Sequence, residues 1–176
     1  MDHERFERWV DCSFRVGKIK DDFLIPVIQD LGRLDSKLIP EDKKFLELLP
    51  QDPNDPDAIQ TGIALGEHIT ISYLWVLGAY EFIRTLDERC RNQPAIFGKN
   101  INRKVNETKR EFERVRVPLA KLKVARNYPS DSRIAFPAFG SRGVAWRISK
   151  TTFIQRRELS DKLLELLEEL PAIRNR

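Results

Sequence analysis

Histidine, cysteine and glycine are scarce in this chain of 176 residues, and each scarcity removes a class of explanation. The two histidines are His3 and His68, with no HExxH or ExxH pairing, so a histidine-based metal centre lacks ligands. No metal and no cofactor is expected. The two cysteines, Cys12 and Cys90, are far apart and form no CxxC, which reads as two free thiols in a reducing compartment rather than a disulfide framework. Eight glycines, set against ten phenylalanines and abundant leucine, lean the chain towards helices over a turn-rich β fold.

Long apolar runs are missing too. The longest uncharged stretch, Ile69 to Tyr80, has twelve residues, whereas a helix needs about 20 to span a bilayer. Widening the window brings in Glu67, His68 and Glu81, so this reads as a buried core helix with no membrane partner. Met1 to Glu7 is polar and charged with no apolar core behind it, unlike a secretory leader. A cytoplasmic protein forming one domain over residues 1–176 is the expectation.

Catalytic templates also fail to appear: no GxGxxG, no P-loop, no GxSxG, no SxxK, and no cysteine with a histidine partner. Helical-bundle ribonucleases of the HEPN type carry an Arg four to six intervening residues before a His. Neither histidine here has one.

Charge is present in quantity and segregated. Residues 1–60 hold 9 Lys and Arg against 14 Asp and Glu, residues 61–102 balance at 4 and 4, and residues 103–176 hold 18 against 9. An acidic first third and a basic last part suit a nucleic-acid or acidic partner, two ends of one chain facing each other, or a second copy of the chain.

Hydrophobic spacing then orders the chain. Phe6, Trp9, Val10, Phe14 and Gly17 recur at three and four, predicting a helix from Glu4 to about Lys18. Phe23 to Leu31 continues, with Pro26 suiting a first turn or a break, and Pro40 is expected to open a short separate helix ending at Pro50. Asp55 and Pro56 read as the cap and first residue of a long helix to about Arg91, interrupted near Gly62 or Gly66. After a connection over Asn92 to Asn102, Val105, Phe112, Val115, Leu119 and Leu122 mark a second long helix to about Asn127, with a kink expected at Pro118. The final stripe is Leu159, Leu163, Leu166, Leu167 and Leu170. Its start is either a capping box at Thr152 or, after an extended Thr151 to Gln155, near Arg157. The fold class this predicts is all-α: one helical bundle of five to six helices with a small β-hairpin insert near residues 133–155.

Two constellations carry chemistry. Glu81 and Arg84, three apart on the apolar helix, would meet Glu113, Arg116 and Lys121 if the two long helices pack antiparallel. Arg84 and Arg116 could then hold an anion, with Glu81 as a base; the plainer reading is a buried salt-bridge network between central helices. The second is Arg103 to Arg126, with nine Lys and Arg against three Glu. Lys109, Arg110 and Lys123 are its candidate nucleic-acid contacts. His68 reads as a core histidine bonded to Ser72. The leading expectation is a non-enzymatic association module forming a homo-oligomer, with nucleic-acid binding and a ligand pocket as the alternatives.

Overall fold

The computed structural model describes residues 1–17, 23–48 and 57–170. Four helices come first: α1 (His3–Gly17), α2 (Leu24–Leu48), α3 (Ala58–Asn92) and α4 (Pro94–Lys121). Strands β1 (Phe136–Gly140), β2 (Gly143–Arg147) and β3 (Phe153–Gln155) come next, and α5 (Arg156–Glu169) ends the described chain. The strands form one antiparallel sheet in the order β1-β2-β3. The fold is therefore predominantly α with a small sheet, not all-α, and the expected hairpin has a third strand. No helix among the described residues is long and apolar enough to cross a membrane.

Asp2 starts α1 by accepting the Arg5 backbone N–H at 3.1 Å, as an N-cap does. The buried face of α1 is rotated from the expected one. Arg5, Trp9, Cys12 and Val16 are buried while Phe14 is exposed. Trp9 packs so tightly on α2 that a Cβ at Gly32 would lie 2.3 Å from the Trp9 Cβ, so this crossing requires glycine.

Pro40 does not open a new helix. It lies inside the continuous α2. A proline in a helix orphans the carbonyl four residues earlier, and here that carbonyl, on Ser36, accepts the Asp2 amide at 2.8 Å. The chain end thus supplies the hydrogen bond that Pro40 cannot, and α2 runs through.

Helix α3 passes Gly62 and Gly66 without interruption; Asp55 and Pro56 lie outside the described residues, as does Pro50. Trp75, Val76, Ala79, Phe82, Ile83 and Leu86 form the centre of the core, yet Ile71 and Leu74 are exposed, so the apolar run is not enclosed on every side. Only Gln93 separates α3 from α4. The break in α4 falls at Gly98 (φ 73, ψ 160) rather than at Pro118, which stays in helical backbone. Leu122 turns left-handed (φ 53, ψ 39) and ends α4 at Lys121, short of the expected Asn127. Of the two expected starts for the last helix, the extended one is found: Gln155 ends β3 and makes a capping box with Glu158.

Both cysteines are buried free thiols. Burial pushes the Cys12 thiol up to about 11 and Cys90 up to about 12, which suppresses the reactive thiolate. A thiol-exchange reagent at pH 8 is therefore expected to label neither cysteine in native buffer and both in denaturant. Rapid native labelling would contradict this burial.

Candidate functional site

Helix α4 has two faces. Val105, Phe112 and Val115 enter the core, fixing the helix against α3 and α5. The adjoining positions, Asn106, Lys109, Arg110, Glu113, Arg116 and Lys121, follow helical spacing along one side, and all of them line a single open basin of about 640 Å³. The far wall is the chain returning after the left-handed Leu122: Lys123, Val124, Arg126 and Asn127. Arg114 pins that return. It donates two hydrogen bonds to Asp131 at 2.7 and 3.0 Å, and its guanidinium lies 4.4 Å from the centroid of the Tyr128 ring. The Ser132 amide then donates to the Ile148 carbonyl at 2.6 Å, tying the wall to the sheet.

Six cations line the basin against one carboxylate, Glu113. Lys109 is engaged, donating to buried Asp87 at 2.7 Å, and Arg116 lies 4.7 Å over the Tyr80 ring and 3.4 Å from Glu81. Arg110, Lys121, Lys123 and Arg126 are exposed and make no ion pair or hydrogen bond among the described residues. Tyr80 closes the base, its hydroxyl donating to Glu113 Oε1 at 3.1 Å. Burial and the Glu113 charge together raise the Tyr80 pKa, so it stays a neutral donor.

The two helices meet in the antiparallel arrangement: Tyr80 meets Glu113, Glu81 meets Arg116, and Asp87 meets Lys109. Of the expected Glu/Arg network only the Glu81–Arg84 and Glu81–Arg116 pairs form among the described residues, with Glu113 and Lys121 outside it. Its location differs from expectation. Glu81 and Arg84 pair at 2.8 Å with side chains 49% and 52% exposed, so this part of the knot lies on the surface. Neither residue lines the basin, whereas Glu113, Arg116, Lys109, Arg110 and Lys123 all do.

The buried polar centre is elsewhere, at residues that no sequence motif singled out. Fully buried Arg156 donates from Nη1 to Asp35 and from Nη2 to Asp42, each at 2.6 Å. Arg5 donates to the other Asp35 oxygen at 2.5 Å and reaches Asp161 at 2.9 Å. Burial alone would raise both aspartates, but Arg156 and Arg5 on Asp35, and His68 and Arg156 on Asp42, hold their carboxyls below the usual range. His68 is a core histidine, but its partner is Asp42 at 2.7 Å and not Ser72, whose hydroxyl has no hydrogen bond among the described residues.

His68 also lines a groove of about 420 Å³ between α2 and α3, backed by Asp42. A carboxylate-oriented imidazole is half of a nucleophilic site. The other half is missing, because no serine, threonine or cysteine among the described residues lines that groove. Nor do the described residues contain a group of three metal-ligating side chains.

The chain matches no protein-family model, no curated protein and no solved structure. The basin takes Glu113, Arg116 and Lys121 from the first constellation seen in sequence and Lys109, Arg110 and Lys123 from the second, and adds Tyr80, Asn106 and Asn127. The spacing of 106, 109, 110, 113, 116 and 121 was the signal for one polar face. The return of Lys123 to Asn127 depends on Leu122 leaving the helix, which spacing does not announce.

Proposed function

We propose that this protein binds nucleic acid through the basin of α4. The observation that carries the reading is a continuous cationic surface in which Arg110, Lys121, Lys123 and Arg126 have no partner among the described residues to neutralise them. A small anion would occupy only part of it. Sixteen residues of helix, from Asn106 to Lys121, rise about 22 Å, the length of about six nucleotides of one strand. A linear polyanion fits that extent. Asp35 and Asp42, in the acidic first third, do not compete for the basin, since both are consumed by Arg156.

Fluorescence anisotropy with single-stranded oligonucleotides of about 12 residues tests this. Four phosphate contacts give a slope of log K against log salt of about −3, so binding weakens about fiftyfold between about 50 and about 200 mM salt. The triple variant R110E/K121E/K123E should shed about 2 from that slope. Lys109 is left intact, because its partner Asp87 is buried. No binding at low salt would sink the proposal.

Self-association remains a second reading on a separate observation. Ile59, Ile63, Ile71 and Leu74 are exposed along the first half of α3, the part that precedes its pairing with α4. An exposed apolar face of this kind suits a protein partner. Light scattering at high concentration decides it, and a strictly monomeric protein would remove this reading.

A further inference from the structure

Glu113 is out of place in a site for polyanions. It is the one carboxylate lining the basin, and none of the six cations there lies within ion-pair distance of it. Its Oε1 accepts from the Tyr80 hydroxyl at 3.1 Å; Oε2 has no partner among the described residues. Arg116, three residues on along the helix, is drawn over the Tyr80 ring and towards Glu81 instead. A fixed carboxylate with a spare oxygen repels phosphate, and is useful only to a ligand that brings a hydrogen-bond donor with its phosphates.

Nucleic acids carry such donors on bases and on the ribose 2′-hydroxyl. Reading base edges on a single strand normally requires aromatic faces on which the splayed bases stack. The basin offers none: Tyr80 is buried beneath Arg116, and Tyr128 is covered by Arg114. The donor left is on the backbone itself, next to the phosphates, and it exists in RNA and not in DNA.

The geometry points to RNA as the nucleic acid bound, with Glu113 as the residue that selects it by accepting a 2′-hydroxyl hydrogen bond. This rests on the basin binding nucleic acid at all. Tyr80 is then a positioning residue, holding the carboxylate towards the strand.

The test compares one sequence as RNA, DNA and 2′-O-methyl RNA against the wild-type protein, Glu113→Ala and Glu113→Gln. A charge-assisted hydrogen bond corresponds to about a tenfold preference for RNA. The 2′-O-methyl strand keeps an RNA-like sugar but lacks the donor, so it should bind like DNA. In E113A the preference should fall to about one while DNA binds as well as before or better, which also shows that the basin is intact. E113Q retains an acceptor and should keep part of the preference. Equal binding of RNA and DNA by wild type overturns the inference while leaving nucleic-acid binding standing. An RNA preference unchanged in E113A overturns the role given to Glu113. Failure to bind either strand removes the proposal beneath both.

Discussion

Arg156→Met is expected to destabilise the protein by about 3–5 kcal/mol at pH 7. Against a typical domain stability of about 5–15 kcal/mol, that leaves little fold in reserve. The guanidinium is fully buried and is shared by Asp35 and Asp42, at 2.6 Å each. Methionine fills much of the same volume, so the loss is mainly electrostatic: two buried carboxylates lose their common cation. Asp35 keeps Arg5 and the Trp9 indole N–H at 3.2 Å; Asp42 keeps only His68 and the Val144 amide.

The pH dependence distinguishes this cause from a packing defect. In the wild type both carboxyls sit below their unfolded value of about 3.9. They therefore stabilise the fold above that pH, and the contribution disappears as pH falls through the folded pKa. Without Arg156, only His68 and the Val144 amide oppose burial, so the Asp42 pKa rises and the variant gains relative stability as that group takes up a proton. The gap between wild type and R156M in urea unfolding should be widest at neutral pH and narrow towards about pH 4. A gap that is constant with pH would assign the loss to packing.

Gly143→Ala is the second large effect. Gly143 begins β2 at φ 107, beyond the left-handed region that other residues enter. That strain alone is worth about 1–3 kcal/mol. In addition, the new Cβ would lie 2.1 Å from Asp42 Cγ and 2.2 Å from Oδ1. The carboxylate must move, and with it go its bonds to Arg156, His68 and the Val144 amide. A loss above about 3 kcal/mol is expected, combining strain with damage to the buried network. Asp42→Gly removes the obstruction, so in that background G143A should cost only the backbone strain. Additive losses would mean that the hairpin tip and Asp42 are uncoupled.

The same residues show what the sequence could reveal. Helices α1, α4 and α5 were legible because their apolar residues repeat at three, four and seven, and α3 because of its long apolar run. Along α2 the stripe is Leu31, Asp35, Leu38, Asp42, Phe45, with two acids at positions where the period demands apolar side chains. That was a signal for a buried ionic centre. It was hidden because Pro40 reads locally as a helix start, and the bond that makes it tolerable comes from Asp2, at the start of another helix. Arg156 likewise heads the stripe of α5, but its partners lie more than a hundred residues away. No local pattern pairs residues at that separation.

Glu81 and Arg84 failed in the opposite direction. An uncharged run of twelve residues implied enclosure for the charged pair beyond its end, but helix α3 buries one side and leaves these two on the other. The basic stretch was legible in composition. What composition could not show is which cations are already paired, and it is the unpaired four that define the basin.

Amide chemical shifts of the labelled protein, followed while a single-stranded oligonucleotide is added at low salt, test the central claim most directly. Binding in the basin predicts perturbations concentrated at residues 106–127 and at Tyr80, reversed as salt is raised. Shifts centred instead on the His68 groove or on the Ile59 to Leu74 face of α3, or no shifts at all, would contradict it.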